Sequence, residues 1–394
     1  MPATSSPSPT PLPLSGVRVL DLSRLLPGPW ATWQLVAMGA DVLRVESPGV
    51  GDYARLTPPM IGGASALFTV LNRGKRSITV DLKTAAGRQL VLELADRADV
   101  VFEQFRPGVL DRLGLGWEVL RARKADAILC SLTGYGQTGP LATAAGHDMN
   151  YQALAGVLHL QGTAEAPTLS TPPMADLAGA SAAVSAVLGA LLHRERTGEG
   201  QHLDVSLTEA VGAFAAPFLA GWNAAVAQGV EPAGRGEALL DGGLAQYSVY
   251  RTRDGGHLAV GALEPKFFAR FAEVCGHPEW MQVPALPGPR QAELKDAVAR
   301  AVAERTRDEW EEALSGVDCC VTVVRRPDEL AAVQQFRERG ALEERGGVSW
   351  PGSVLGPALT GPPVGPGADT DAVLAELGYG PKKVATLRAA GVVE

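Results

Sequence analysis

The fold is decided by residues 17–46, which read VRVLDLSRLLPGPWATWQLVAMGADVLRVE. The aliphatic and β-branched run Val17–Leu22 predicts a strand, and Pro29 suits the first turn of the helix that follows. Gly39 is a typical helix terminator, and Asp41–Glu46 predicts a second strand. Because a strand, a helix and a strand follow one another, these residues predict a β-α-β unit within a parallel sheet.

The same alternation continues beyond this unit and extends the predicted sheet. Apolar strand-like runs alternate with segments of helical periodicity up to about residue 135. Further strands are predicted at Ile78–Leu82, Asp99–Glu103 and Ala127–Leu132, with helices at Ala85–Ala95 and Val109–Leu113. The pattern favours the α/β fold class, with a doubly wound, Rossmann-like parallel sheet.

The character of the sequence changes near residue 245, where two β-rich runs flank Asp254-Gly255-Gly256 in a pattern typical of a hairpin. Helical patterns follow this hairpin, as in an α+β domain. We therefore expect a disordered tail over residues 1–13, a large Rossmann-like domain formed by 14–230 and 340–394, and a smaller α+β domain at 235–335. The later helices of the large domain are predicted at Tyr151–Gln161, Asp176–Arg196 and Thr208–Val226.

Composition argues against several classes of protein. The chain has 394 residues, of which 46% are apolar, so a sizeable core is expected. The net charge of −8 argues against nucleic-acid binding. The four cysteines show no metal-type spacing, and the N-terminal residues show no signal-peptide pattern, which together predict reduced thiols and a cytoplasmic location. The uncharged run Leu177–Leu192 is short for a membrane span and predicts a buried helix.

Residues 133–151, TGYGQTGPLATAAGHDMNY, follow a predicted strand and precede a helical pattern. In an α/β sheet, the loop past the carboxyl end of a strand is where ligands usually bind. The glycines match the spacing GxGxxG, but Pro140 and a loop follow them where a dinucleotide site needs a helix. We interpret these glycines as positions that let the backbone approach a ligand or turn tightly.

Three side chains suited to chemistry lie close together at the end of this stretch, namely His147, Asp148 and Tyr151. A neutral histidine can act as a general base at pH 7. A position just before a helix favours that neutral form, because the helix dipole is positive there. A lone histidine is equally typical of a structural position, so the residues alone leave catalysis by His147 open.

Two further carboxylates, those of Asp176 and Glu264, each allow two interpretations. Asp176 opens the long apolar helix, where aspartate is strongly preferred as an N-cap, so capping is favoured over catalysis on the residues alone. Glu264 lies between an apolar strand and a helix that begins at Pro265. This carboxylate is either an exposed surface group or one that reaches a domain interface, where sites often lie.

Basic residues cluster near the predicted strand ends and loops of the first domain. Such charges are usually solvated, but in an acidic protein this clustering predicts a site for an anion, such as the phosphates of a nucleotide-bearing ligand. The five residues are Arg44, Arg73, Lys75, Arg76 and Arg106.

Several motifs, in their order along the chain, resemble those of the CaiB/BaiF-type (class III) coenzyme A transferases and of their isomerase branch, the α-methylacyl-CoA racemases. The resemblance covers nearly the whole chain from Gly16 onward. The matching motifs are VLDLS at 19–23, LPGP at 26–29, GADVLRVE at 39–46, NRGKRS at 72–77, ADVVFEQFRPGV at 98–109, TGYGQTGP at 133–140 and TGEGQ at 197–201.

The resemblance implies roles for the candidate residues. His147 and Asp176 would be the two acid–base residues, because the loop around His147 resembles the racemase version. Asp148 and Glu264 would be supporting groups. In the transferases, an aspartate at the position of Asp148 is the nucleophile.

The resemblance also implies what the protein binds. The coenzyme A part of an acyl-CoA substrate would be held by the five basic residues together with Gly146 and Tyr151. No metal and no separate cofactor are implied. The family forms interlocked homodimers, and Glu231–Asp241 would supply the long crossing that such a dimer requires.

Three hypotheses for function follow. The leading one is racemisation (epimerisation) of a 2-methylacyl-CoA thioester, in which two bases move the α-proton through an enolate. Pro172 stands where racemases tend to carry asparagine, as is typical of the transferase branch. The alternative is therefore coenzyme A transfer from an acyl-CoA to a carboxylic acid, through an aspartyl anhydride and an aspartyl-CoA thioester at Asp148. The third hypothesis is a non-catalytic protein that binds coenzyme A.

Overall fold

The computed structural model describes residues 11–357, 359 and 364–394. Residues 1–10 of the expected tail lie outside these ranges. Directly after that tail, Leu14 is buried, and its N–H donates to the carbonyl of Met38 at 2.9 Å. The chain has therefore joined the fold by residue 14.

Strands and helices alternate through the first half of the described chain. The strands are β1 (Arg18–Asp21), β2 (Asp41–Glu46), β3 (Met60–Ile61), β4 (Ala64–Ser65), β5 (Arg76–Thr79), β6 (Val100–Glu103), β7 (Ile128–Thr133), β8 (Gln201–Ser206), β9 (Tyr247–Arg251), β10 (His257–Gly261), β11 (Val321–Val323), β12 (Leu342–Arg345) and β13 (Val348–Pro351).

The α-helices are more numerous than the sequence pattern predicted. They are α1 (Pro27–Ala37), α2 (Ala66–Asn72), α3 (Ala85–Arg97), α4 (Val109–Arg112), α5 (Trp117–Arg123), α6 (Asp148–Leu154), α7 (Met174–Thr197), α8 (Leu207–Phe214), α9 (Ala216–Ala227), α10 (Pro265–Cys275), α11 (Pro289–Val302), α12 (Arg307–Ala313), α13 (Gln334–Glu338), α14 (Thr370–Glu376) and α15 (Pro381–Ala389).

Six parallel strands form the central sheet, in the order β5-β2-β1-β6-β7-β8. Ranked by their appearance in the chain, these strands have the order 3-2-1-4-5-6, which is that of the Rossmann fold. The prediction of an α/β, Rossmann-like sheet is therefore confirmed. Ligands of such sheets bind outside the carboxyl ends of the strands, so this edge is where a site is expected.

Apolar residues cover both faces of this sheet. Successive residues of a strand point to opposite faces, and both Val100 and Val101 of β6 are buried, as are Ile128 and Leu129 of β7. Helices α3, α5 and α14 contribute to one apolar cluster with the sheet, whereas α1 and α7 contact each other and the strands. A sheet buried on both faces has only its edges and strand ends for function.

The last described residues belong to the same core. Val392 and Val393 are 3% and 1% exposed and lie in the cluster that contains α3 and the sheet. The N–H of Glu394 donates to Oγ1 of Thr79 at 2.8 Å, and the N–H of Asp81 donates to the carbonyl of Val392 at 2.8 Å. These bonds fasten the segment to the end of β5.

A second compact unit has a different architecture. Its sheet has three antiparallel strands in the order β11-β10-β9, and β9 and β10 form the predicted hairpin. Five buried aromatic side chains lie in its core, namely Tyr250, Phe268, Phe271, Trp280 and Trp310. Helices packed on one small antiparallel sheet make this unit α+β.

The two compact units divide the chain differently from the expected domains. Residues 156–170 and 217–230, expected in the large domain, cluster with the second unit, which runs on to Val333. Arg235 accounts for the assignment of residues 156–170 to the second unit, because its guanidinium donates hydrogen bonds to three carbonyls within 159–164 at 2.7–3.3 Å. The ring of His159 also packs edge-on against Trp222, with centroids 5.0 Å apart. The first unit holds the remaining described residues.

Several predicted helices have different bounds in the structure. The helix predicted over Tyr151–Gln161 ends at Leu154, and Gly156 then turns the chain with φ +77. The helix predicted over Thr208–Val226 is two helices, α8 and α9, with a break at Ala215. Helices α2, α5, α13 and α15 and the hairpin β12-β13 were not predicted from the sequence.

Of the described helices, α7 alone has the length and apolar composition that a membrane crossing would need by itself, while α8 and α9 meet that test only as a bent pair. Within the first unit, α7 contacts α1, α8, β7 and β8. Its small residues lie buried against these elements, including Ala178, Gly179, Ala183 and Val187. Packing of this kind is typical of a core helix, as the sequence predicted for this run.

Two glycines of α7 provide a test of this packing. A Cβ at Gly179 would lie 2.2 Å from Cδ2 of Leu207, whereas a Cβ at Gly189 meets nothing within 4 Å. Gly179→Ala should therefore destabilise the fold by about 1–3 kcal/mol through overpacking. Gly189→Ala should stabilise it by about 0.5–1 kcal/mol through helix propensity. Thermal unfolding of both variants measures the effect, and a similar change in both would contradict this account of the packing.

Candidate active site

The candidate site is built on the loop between β7 and α6, at the carboxyl edge of the central sheet. Two glycines let aromatic rings close over this loop. A Cβ at Gly134 would lie 2.5 Å from Cε1 of Tyr151, and a Cβ at Gly146 would lie 2.7 Å from the hydroxyl of Tyr135. The rings of Tyr135 and Tyr151 pack edge to face, with centroids 5.2 Å apart. Any larger residue at either glycine would push these rings away.

The loop is also fastened to the start of α8 and to β8. The carbonyl of Gly134 accepts hydrogen bonds from the N–H and the hydroxyl of Thr208, at 3.1 and 2.7 Å. Both carboxylate oxygens of Asp204 lie 3.0 Å from the N–H of Gln137. Gly136 turns the backbone between these points with φ +85. The glycine motif thus serves tight turns and close packing of the loop.

His147 lies at the N-cap position of α6, and its side chain is exposed. Its backbone N–H donates to Oδ1 of Asn150 at 3.0 Å, and its carbonyl accepts from the N–H of Asn150 at 2.8 Å. This reciprocal pair fixes the backbone at the start of the helix. The imidazole therefore projects from a fixed point and remains accessible to a substrate.

Asp148 caps a helix other than its own. Its Oδ1 accepts hydrogen bonds from the N–H groups of Ala175 and Asp176, at 2.7 and 3.1 Å. Its Oδ2 accepts from Nε2 of Gln152 at 2.6 Å. The residue at the N-cap position of α7, Pro173, supplies no side-chain cap. A carboxylate at this helix end is favoured by the free N–H groups and by the helix dipole.

The capping role expected of Asp176 is therefore wrong. Asp176 is the third residue of α7, and its own N–H is capped by Asp148. Burial, together with the charge of Asp148, raises the pKa of Asp176 from 3.8 to about 7. A carboxyl group that titrates near neutral pH is able both to accept and to donate a proton, which is what general acid–base catalysis needs.

Tyr151 holds the loop in place. Its hydroxyl donates to the carbonyl of Gly146 at 2.6 Å. Burial, and then the nearby charge of Asp176, raise the pKa of Tyr151 to about 12, so the phenol stays protonated. Gly146 and Tyr151, which were predicted to contact coenzyme A, are therefore hydrogen-bonded to each other.

Arg44 and Lys75, two of the predicted phosphate-binding residues, belong to a buried polar network. Arg44 is 2% exposed and pairs with Asp52, while Nη1 of Arg44 donates to Asn72 at 2.7 Å. Lys75 is 3% exposed, and its Nζ lies 3.3 Å from Oδ2 of Asp21. Burial lowers the pKa of Lys75 to about 8, although Asp21 opposes this shift. Both cations are paired with internal anions, and binding of phosphate by Arg44 and Lys75 stays a prediction.

Arg73 and Arg76 are also engaged elsewhere. Arg73 is 1% exposed, lies over the rings of Trp33 and Trp350, and pairs with Glu343 at 3.0 Å. Arg76 bonds Asp41 and Glu376 at 2.9 and 2.8 Å and begins β5, so it lies at the amino edge of the sheet. Both guanidinium groups are paired with carboxylates, and binding of phosphate by Arg73 and Arg76 stays a prediction.

Arg106 differs from the other four basic residues. It is exposed in the loop after β6, and within residues 11–357, 359 and 364–394 it has no ion-pair partner. Its positive charge acts on the hydroxyl of Tyr151, where it opposes the rise in the pKa of that group. Arg106 is therefore the predicted anion-binding residue that lies at the candidate site.

Glu264 lies in the second compact unit, where it is exposed at the N-cap position of α10. Its carbonyl accepts from the N–H groups of Phe267 and Phe268, at 3.0 and 3.2 Å.

The described residues contain no group of three or more His, Cys, Asp or Glu side chains placed to hold a metal ion.

Gln152 was missed by reasoning from the sequence. It is 1% exposed and bonds Asp148 from one turn further along α6. The spacing of four residues between a carboxylate and an amide donor was available as a signal, because side chains so spaced meet on a helix. The helix start was predicted at Tyr151, and this position concealed the pairing.

Comparison with known proteins gives a consistent family. A model of CoA-transferase family III matches residues 14–353. The chain is 35% identical over 396 residues to the alpha-methylacyl-CoA racemase of Homo sapiens, covering 97% of each protein. It is 33% identical over 350 residues to the acetyl-CoA:oxalate CoA-transferase of Acetobacter aceti, covering 87% of this chain and 88% of that one. A CAIB/BAIF family protein from Brucella suis has a similar structure, with a TM-score of 0.81, 31% identity, and coverage of 93% and 99%.

The raised pKa of Asp176 predicts a pH-dependent effect of its replacement. Because the folded-state pKa lies near 7 and above the ordinary 3.8, the protonated group favours folding below about pH 4, and this contribution is lost as the pH rises through 7. Asp176→Asn mimics the neutral form, so it should raise the unfolding temperature at pH 8 and change it little at pH 4. The exposed residue Asp296 offers a control, since Asp296→Asn should have the same small effect at both pH values. An equal effect of Asp176→Asn at pH 4 and pH 8 would rule out the raised pKa.

Proposed function

The chain belongs to CoA-transferase family III, and on that premise we propose that it is an enzyme that racemises 2-methylacyl-CoA thioesters. The observation that carries this proposal is the carboxyl group of Asp176, whose pKa near 7 suits proton transfer at neutral pH. A nucleophile for acyl transfer has no need of such a group. The similarity to a racemase over 97% of the chain adds support.

The proposed reaction moves one proton. The thioester carbonyl acidifies the α-carbon, so a base on one face removes the α-proton and leaves an enolate. An acid on the opposite face then returns a proton, and the configuration is inverted or restored. His147 and Asp176 take these two roles, one as base and the other as conjugate acid, and they exchange roles for the other enantiomer.

The enolate oxygen needs hydrogen-bond donors where its negative charge develops. The N–H groups of Ala175 and Asp176 are bonded to Asp148. We therefore assign the enolate oxygen to the first two N–H groups of α6, those of Asp148 and Met149, because the N–H of Asn150 is already bonded to the carbonyl of His147. Arg106 is proposed to bind a phosphate of coenzyme A, because it is the exposed cation beside this loop.

Coenzyme A transfer is the second candidate, favoured by the transferases among the relatives and by Pro172. In that reaction, the carboxylate of Asp148 would attack the thioester carbonyl, forming an anhydride and releasing the thiolate of coenzyme A. Both oxygens of Asp148 accept hydrogen bonds in the free chain, and three donors reduce the nucleophilicity of a carboxylate. This is why proton transfer is preferred.

Exchange of the α-proton with solvent distinguishes the two candidates. In deuterium oxide, with a 2-methylacyl-CoA and no acceptor acid, the wild-type protein should incorporate deuterium at the α-carbon, as measured by mass spectrometry. His147→Ala and Asp176→Asn should each lower the rate of inversion at the α-carbon by about 10²–10⁴-fold, since inversion needs a general acid–base group on each face. His257→Ala is a suitable control because His257 is an exposed histidine of the second unit.

The transferase reading predicts the opposite result. No exchange would then occur until a free carboxylic acid is added, and Asp148→Asn would abolish transfer. A protein that only binds coenzyme A would give no turnover in either assay, and its affinity for coenzyme A would be unchanged after His147→Ala and Asp176→Asn.

We also propose a cytoplasmic location, because the four cysteines are free thiols.

A homodimer is proposed from an exposed apolar helix. Helix α9 reads APFLAGWNAAVA, and none of its residues is buried in the single chain. Phe218 and Val226 are 56% and 57% exposed, and Phe214, just before the helix, is 62% exposed. Apolar surface of this extent usually marks an interface. We assign it to a second copy of the chain, as in the interlocked dimers that the family resemblance implies.

Sedimentation velocity tests the dimer. The wild-type chain should sediment as a dimer, and Phe218→Asp with Val226→Asp should give a folded monomer, because two charges would be buried at the interface. Val354→Asp provides a control, since Val354 is 95% exposed outside α9. A wild-type monomer, or a dimer unaffected by the double substitution, would overturn the assignment.

A further inference from the structure

Gln152 lies behind the candidate site and is positioned to control Asp148. It is on α6, four residues after Asp148, and is 1% exposed. Its Nε2 donates to Oδ2 of Asp148 at 2.6 Å. The N–H groups of Ala175 and Asp176 hold the other oxygen. Three donors on two oxygens fix the rotation of the carboxylate about its Cβ–Cγ bond.

This fixed orientation matters for Asp176. The negative charge of Asp148 acts on the carboxyl group of Asp176, and this interaction depends on the distance and orientation of the two groups. Without a donor at Oδ2, only the two N–H groups on Oδ1 would hold the Asp148 side chain, and its orientation at the start of α7 would be less restricted. The electrostatic environment of Asp176 would then vary with the rotamer of its neighbour.

The absence of charge on the Gln152 side chain is as important as its amide N–H donor. A lysine or arginine at this place would also bond Oδ2, but its positive charge would cancel much of the field of Asp148 at Asp176. An amide satisfies the oxygen and leaves the charge of Asp148 intact. A buried site of low dielectric strengthens this effect. The residue type at position 152 therefore matches the need for a charged but immobile Asp148.

We propose that Gln152 is a positioning residue of the active site, which holds Asp148 against the N-terminus of α7 and so fixes the electrostatic environment of Asp176. This inference deepens the proposed function and rests on it for its catalytic meaning. Gln152 itself has no contact with the reacting atoms in the proposal. It acts through Asp148.

Gln152→Met tests the proposal, because methionine fills a similar volume without a donor. The limb of the pH profile of kcat/KM that belongs to Asp176 should move to lower pH by roughly one unit, since a nearby negative charge shifts a carboxyl pKa by about this much. Gln152→Asn, whose amide is one methylene too short, should move it in the same direction. Gln152→Glu should keep the limb at the wild-type position or above it, because a protonated Glu still donates and an ionised Glu adds negative charge.

The carboxyl ¹³C titration of aspartate-labelled protein provides a readout that does not depend on activity. The Asp176 signal, identified by its absence from Asp176→Asn, should shift its midpoint downward in Gln152→Met and not in Gln152→Glu. An unchanged midpoint in Gln152→Met, or an equal downward shift in both variants, would overturn the proposal. If α-proton exchange fails while the titration behaves as expected, the racemase function is rejected and the positioning role of Gln152 stands.

Gln291 supplies a matched control. It is also 1% exposed and is bonded at both ends of its amide, to the N–H of Ala245 at 2.8 Å and to the carbonyl of Pro284 at 2.7 Å. It lies in the second compact unit. Gln291→Met should lower the unfolding temperature and leave the titration of Asp176 unchanged. A shift of the Asp176 midpoint in this control would mean that general destabilisation, and not the contact with Asp148, explains the effect.

Discussion

The hydrogen bonds between the carboxylate of Asp148 and the N-terminus of α7 are the interaction on which the candidate site depends. They join the loop after β7 to a 24-residue helix that is packed into the core. A loop at a sheet edge is otherwise the part of a fold that is most free to move. Because α7 is fixed by its buried small residues, Asp148 inherits that rigidity, and His147 and Asp176 are held by the same bonds. The chemistry proposed for the site requires groups that keep their positions while a proton moves.

Charged residues of the first compact unit occur in two different arrangements. Lys75, Arg44 and Asp21 form a buried network in which each charge is offset by a neighbour, and such networks specify packing more than they stabilise it. Asp148 and Asp176 are the reverse case, because two like charges lie near each other and Asp176 keeps its proton up to near neutral pH. Every charge of the first arrangement is paired, whereas the second contains a carboxyl group whose pKa lies near 7.

The sequence predicted the sheet well because its strands are buried on both faces and alternate with helices, and both are local patterns. The position of His147 and Asp148 at the carboxyl edge followed from the same reasoning. The roles of Asp176 and of the basic residues did not, because they depend on partners far away in the chain. Arg73, for example, is neutralised by Glu343, which lies 270 residues later, and no local pattern distinguishes such an arginine from one that binds phosphate. Asp176 was predicted to be the N-cap of α7, because no residue near it in the sequence indicated that Asp148 caps this helix.

The packing of Val392 and Val393 against the sheet has a consequence for biosynthesis. Strands β1 to β7 are complete once residue 133 has been made, but the apolar face that they share with α14 is closed only by residues 373–393. At roughly 5–20 residues per second, the ribosome needs about 12–50 s to produce the intervening segment. During that interval the nascent sheet carries uncovered apolar side chains next to unpaired strand edges. Intermediates with exposed apolar surface and unpaired strand edges are prone to aggregation, which is the hazard that chaperones limit.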